Sequence, residues 1–194
     1  MSSPPIYFLR HGETDYNAAG RLQGRMDIPL NAKGRAQAQR NGGVLFELLS
    51  KPAALDYVAS PLLRTRQTME IARGCLGLPE NGFVTDDRLL EISFGDWEGR
   101  SWTDIKHHDA ERYKERRAGE YEHAAPGGES YAMVMERVIG WYADLASPSV
   151  VVAHGGIMRC VRAHVLGLTP SEMLSLDIPQ DKVMLIEDGT IRLI

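Results

Sequence analysis

The chain predicts an α/β fold, a mostly parallel sheet with helices on both faces, and three observations carry that expectation. Two continuous apolar runs rich in β-formers, Ile6–Leu9 and Ser149–Ala153, have the character of strands buried on both faces. A third such run is LDYVAS, residues 55–60, and each of the three is followed by a helical pattern. Strands that alternate with helices build a parallel sheet flanked on either side.

The elements follow in order. After the first strand, Asn31 can cap a helix over roughly 32–50, and Ser60 with Pro61 supplies a cap and first-turn pair for a helix over 61–73. From Gly99 to Gly128 charges of both signs crowd together, Lys106, Arg112, Lys114, Arg116 and Arg117 among acids, which predicts a helical insertion closed by the loop APGGES. Its basic residues are expected on a solvated face. A helix resumes over about 131–146, with Glu129 and Ser130 at its start. Beyond SVVVA the segment GGIMRCVRAHVLG is helical until Gly167, and VMLIEDGTIRLI forms a hairpin turned at Asp188-Gly189. No repeat, low-complexity tract or linker interrupts the 194 residues, so a single domain over 1–194 is expected.

Composition narrows the function. With 43% hydrophobic and 25% charged residues the chain is an ordinary globular one. Its 22 basic against 26 acidic residues and net charge of −4, without a basic tail, argue against nucleic acid and membrane surfaces as partners. Cys75 and Cys160 stand far apart with no CxxC spacing, so neither a disulfide framework nor a zinc site is suggested and a reducing cytoplasm is expected. MSSPPIYFLR lacks the charged region and the length of apolar run that a signal peptide requires.

Three strand ends look alike. FLRHG, YVASPLLR and VVAHGG each deliver polar groups just past an apolar strand, and ligands of open α/β sheets bind at that carboxyl edge. Arg10, His11, Arg64 and His154 are therefore expected to converge, with Arg64 about one turn inside its helix. Gly12, Gly155 and Gly156 let backbone N–H groups come close to a ligand. Two arginines, two histidines, Asn17 and nearby amides are mostly donors, which suits a phosphate. His107-His108 with Asp104 and Asp109 is a poor metal cluster, because adjacent histidines on a helix are expected to diverge and no HExxH spacing exists. Glu13 and Asp15 are expected to serve loop solvation or helix capping, and Trp97, Trp102 and Trp141 to pack the core or a lid.

LRHG at 9–12 with Asn17, RLQG at 21–24, SPLLRTRQT at 60–68, LLEISFGDWEG at 89–99, PGGES at 126–130 and AHGG at 153–156 resemble, in order, the motifs of the histidine phosphatase superfamily, the phosphoglycerate mutase-like proteins. The resemblance implies that His11 is the nucleophile and Glu91 the proton donor. It implies that Arg10, Asn17, Arg64 and His154 hold the phosphate oxygens, with Gln23, Gly24 and the Gly155 amide lining the same pocket. Ala153 stands where many relatives carry Ser or Thr, which takes away one hydrogen bond near His154 and leaves its role intact.

The chemistry agrees with the resemblance. A histidine attacks phosphorus through an unprotonated ring nitrogen, so its other nitrogen should donate to a fixed acceptor, most simply a backbone carbonyl. Neither metal nor cofactor is called for, since arginines and amides meet the transition-state charge. The expected activity is hydrolysis of the phosphomonoester of a small metabolite. The alternatives are a cofactor-dependent phosphoglycerate mutase and a non-catalytic phospholigand-binding protein on the same fold. Mutases of the family carry a long insertion with an ERHYG-like stretch where this chain has EISFGDWEG, a segment that resembles broad-specificity bacterial phosphatases and α-ribazole phosphatases. Specificity is expected in 100–130 and around Pro179-Gln180.

Overall fold

The structure, a computed structural model, describes residues 4–194. Six strands, β1 (Ile6–Arg10), β2 (Asp56–Ala59), β3 (Val84–Thr85), β4 (Ser149–Ala153), β5 (Val183–Glu187) and β6 (Thr190–Leu193), form one sheet in the order β3-β2-β4-β1-β5-β6. The first four are mutually parallel, and the final hairpin joins antiparallel through β5 against β1. Its turn matches the sequence: Asp188 and Gly189 both take positive φ, 49° and 71°, as a two-residue hairpin turn of this hand requires.

The fully apolar character of β4 has a direct cause. Val151 and Ala153 face one core with Phe8, Ile157, Val161 and Trp141, while Val150 and Val152 face another with Leu9, Leu45, Met69 and Ala72. Successive side chains of a strand point to opposite faces, so a strand covered on both sides must be apolar throughout. One cover is α2 (Ala32–Leu48) packed on α3 (Leu63–Cys75); the other is α6 (Tyr131–Ala143) packed on α7 (Gly155–Leu166). Asn31 caps α2 by accepting from the Gly34 N–H, and Ser130 caps α6 by accepting from the Met133 N–H.

Several expectations need correction. Ser60 and Pro61 do not start α3. The helix begins at Leu63, whose N–H donates to Asp27 Oδ1 at 2.5 Å, so a distant aspartate does the capping and Arg64 is the second helical residue. The insertion forms α4 (Trp102–His108) and α5 (Ala110–Ala118), but Arg116 is buried, with its Nη1 donating to the His123 carbonyl and its guanidinium 5.7 Å from the centre of the Phe94 ring. The rings of His107 and His108 do not diverge; they meet edge to face, 5.3 Å between centres. Among the described residues no three His, Cys, Asp or Glu side chains are grouped to hold a metal ion. The sequence reading omitted β3 and the short α8 (Pro170–Ser175), although Thr169 and Glu172 form a capping box there. Trp97 and Trp141 are buried in cores, and Glu13 holds Lys33 and Asn31. No described helix is long and apolar enough to cross a membrane.

Candidate active site

His11 continues the β1 ladder by one bond, its N–H donating to the Ala153 carbonyl at 3.0 Å. Its side chain is 2% exposed, and Nδ1 lies 2.7 Å from the Gly12 carbonyl. A carbonyl only accepts, so Nδ1 carries the hydrogen and Nε2 keeps its lone pair. Burial, then the charges of Arg64 and Arg10, hold the imidazole well below the usual histidine range, which keeps the ring neutral.

Among the described residues neither Arg10 nor Arg64 has a carboxylate within ion-pair distance. Arg64 is fully buried and donates through Nη1 to the Met26 carbonyl (2.7 Å) and through Nη2 to the Gly24 carbonyl (2.8 Å). Burial pushes it down to about 10, an effect that Glu91, Asp27 and Glu98 oppose in part. Arg10 Nη1 donates to the Ile178 carbonyl at 2.5 Å. The Nε of each arginine is buried with no hydrogen-bond partner among the described residues. Buried cations whose hydrogen bonds go to carbonyls, with the carboxylates at a distance, favour an anion beside them.

His154 follows β4 directly and is fully buried, its ring 5.2 Å from that of His11. Nε2 meets Ser60 Oγ at 2.7 Å, while Nδ1 is buried without a partner. Burial, then Arg64 and His11, keep this ring neutral as well. Ser60, expected to cap a helix, thus orients the second histidine instead. Glu91 reaches the start of α7, accepting from the Gly156 N–H at 3.1 Å and from its neighbour Ile92 at 3.0 Å.

Asn17 lies in α1 (Asp15–Ala18), capped by Thr14, and its Oδ1 accepts from the Thr14 N–H and from Gln180 Nε2. Gln180 also donates to the His11 carbonyl at 3.0 Å, so the distal loop enters the site as a brace. Thr14 Oγ1 donates to Gln23 Oε1 at 2.7 Å. Arg10, His11, Asn17, Gln23, Gly24, Arg64 and Glu91 together line a cavity of about 140 Å³. His154 stands behind His11, and Gly155 lies against the Arg10 guanidinium, neither forming part of the cavity wall. Arg21, Leu22 and Phe94 complete that wall and were not singled out, although Arg21 and Leu22 belong to RLQG and Phe94 to LLEISFGDWEG.

A carboxyl sheet edge that holds two neutral histidines beside two arginines without a contacting carboxylate among the described residues points to an enzyme class that handles phosphate. Residues 6–189 match the model of the histidine phosphatase superfamily, branch 1. The chain belongs to that family, and it is an enzyme of the phosphatase type. Over 168 residues, 84% of this chain and 75% of the relative, it is 32% identical to the probable phosphoglycerate mutase GpmB of Salmonella paratyphi C. The α-ribazole phosphatase of Shigella flexneri shares the fold at a TM-score of 0.79 and 26% identity, covering 97% of this chain and 94% of that one. The mycobacterial glucosyl-3-phosphoglycerate phosphatase Rv2419c, also solved with VO3, aligns at 0.78 and 28% identity, over 100% of this chain and 97% of that one.

Proposed function

We propose that the protein is a metal-independent phosphomonoester hydrolase acting on a small phosphorylated metabolite through a phosphohistidine, with residues 1–194 working as one domain. The observation that carries this reading is His11 itself: a neutral ring, its Nδ1 tied to the Gly12 carbonyl, set among Arg10 and Arg64. The Nε2 lone pair attacks phosphorus and the ester P–O bond breaks. Glu91 gives a proton to the leaving alkoxide. Arg10, Arg64, Asn17 and the Gln23 amide meet the phosphoryl oxygens, placing positive charge where negative charge develops, while His154 backs the His11 ring from outside the cavity wall. In the second half, Glu91 takes a proton from the attacking water, the P–N bond breaks, and phosphate leaves.

The 32% identity to a protein named as a phosphoglycerate mutase supports a second reading, in which the phosphoryl group returns to the product. The helical insertion favours water. Most of its basic side chains are exposed, and the buried one, Arg116, is bound to a carbonyl and an aromatic face. Labelled ester mixed briefly with the enzyme and quenched should give an acid-labile, base-stable phosphoryl group that His11→Ala lacks. Free phosphate should exceed phosphoglycerate interconversion under 2,3-bisphosphoglycerate priming. Unimpaired turnover in His11→Ala would remove the proposal, and mutase turnover well above phosphate release would install the second reading.

A further inference from the structure

We infer that Glu98 is a positioning residue that locks the phosphate-holding loop around Gly24 to the acid-bearing loop around Glu91, an inference that rests on the hydrolase reading. Glu98 touches none of the cavity, yet its Oε1 accepts from three groups on two loops: the Arg25 N–H at 3.1 Å, the Phe94 N–H at 3.1 Å and Ser93 Oγ at 3.3 Å. Arg25 follows Gly24, whose carbonyl orients Arg64 and which lines the cavity. Ser93 and Phe94 come two and three residues after Glu91, and Phe94 is itself a cavity wall.

Gly24 shows how tightly the lock is built. Its φ is +49°, and a Cβ there would stand 2.0 Å from Glu98 Oε1, so the carboxylate occupies space that only glycine leaves. Backbone bonds between Leu22 and the Gly99-Arg100 pair anchor the base of the phosphate loop, but they do not reach Phe94. Glu129 forms a second bridge, its Oε2 accepting from the Ser93 N–H at 3.0 Å and its Oε1 pairing with Arg25 at 3.1 Å, but on the Arg25 side it rests on a side chain that is 43% exposed, where an ion pair contributes less. Glu98, half-buried and accepting from two backbone amides, is the stronger tie.

Glu98, a side chain outside both, therefore holds the acid-bearing loop and the phosphate loop at their distance through the backbone of each. Because a single oxygen makes all three contacts, its position comes first, and the charge only strengthens bonds that are already in place. Glutamine keeps that oxygen in place; aspartate keeps the charge and is one methylene too short.

Glu98→Ala, Glu98→Gln and Glu98→Asp should be compared with wild type for kcat and KM on an alkyl and an aryl phosphate, for inhibition by vanadate, and for thermal unfolding. In Glu98→Ala the alkyl ester should lose roughly 10²-fold in kcat, the scale for about 1 Å of misplacement. The aryl ester, whose leaving group barely needs a proton, should lose several-fold less, and the vanadate inhibition constant should rise about tenfold. Loss of stability alone would leave the alkyl-to-aryl ratio and the vanadate constant of the folded enzyme unchanged, and that result overturns the inference. Should Glu98→Ala fail to fold, the order of the other two decides: Gln above Asp supports a positional lock, and Asp equal to or above Gln overturns it. A wild type that hydrolyses neither ester would instead defeat the hydrolase reading on which the inference stands.

Discussion

Replacing Arg64 by methionine should separate catalysis from stability. The side chain is fully buried and held by two carbonyls, with burial pushing it down to about 10 from the usual guanidinium range. Its unfolded form binds a proton more tightly, so at neutral pH the folded state carries a penalty of about 3 kcal/mol, at 1.36 kcal/mol per pH unit; the penalty is relieved only as pH rises past about 10. Methionine removes that penalty but strands the Gly24 and Met26 carbonyls, at about 1–3 kcal/mol each. The two effects are of similar size and opposite sign, so urea unfolding should shift by no more than about 2–3 kcal/mol. Catalysis has no such offset. One or two charge-assisted bonds to the phosphoryl group, about 1.5–3 kcal/mol each, correspond to a loss of roughly 10- to 10⁴-fold in kcat/KM. Vanadate should also stabilise the wild type against urea and leave the variant nearly unmoved. Stability collapsing while the folded fraction keeps full kcat/KM would refute the reasoning, because Arg64 would then be a structural strut and no anion partner.

Other outcomes follow from the same geometry. His11 and His154 are held neutral, so the unfolded chain takes up protons that the folded one refuses below pH ~6.5; unfolding free energy should fall with pH there, by up to about 2.7 kcal/mol per pH unit for the pair, and a flat profile from pH 6.5 to 5 would contradict their burial as neutral rings. Glu91→Gln should slow alkyl phosphates by about 10²-fold or more and aryl phosphates less, measured where phosphorylation limits the rate; equal losses would argue against Glu91 as the acid. Activity should survive EDTA and be inhibited by vanadate, which adopts the geometry of the transition state; activity lost to chelation and restored by Mg²⁺ or Mn²⁺ would replace the arginines as the main source of charge.

The sequence by itself determined those parts of the protein that depend on near neighbours. Ile6–Leu9 and Ser149–Ala153 announce buried strands because residues two apart share a face and apolar residues occupy both. Asn31 and Ser130 announce helix starts because a cap accepts from an N–H three residues on, and Asp188-Gly189 announces its turn because few residues tolerate positive φ. Arg10, His11 and His154 were legible as a site because they stand at the carboxyl ends of such strands, and Glu91, Asn17 and Gln23 because their surroundings resemble a family.

Only the tertiary structure decided which partner each polar group takes. Ser60 sits where a cap belongs, yet its hydroxyl meets His154, 94 positions away, while Asp27 crosses 36 positions to cap α3. Arg116 has the composition of a solvated face around it and is buried under Phe94. Glu98 lies in a motif that the sequence displays, but its tie to Arg25 spans 73 positions. Local pattern governs which backbone a segment adopts and which face it buries. The partners of a side chain depend on how loops far apart in sequence are folded back onto one another, a distance that no periodicity along the chain encodes.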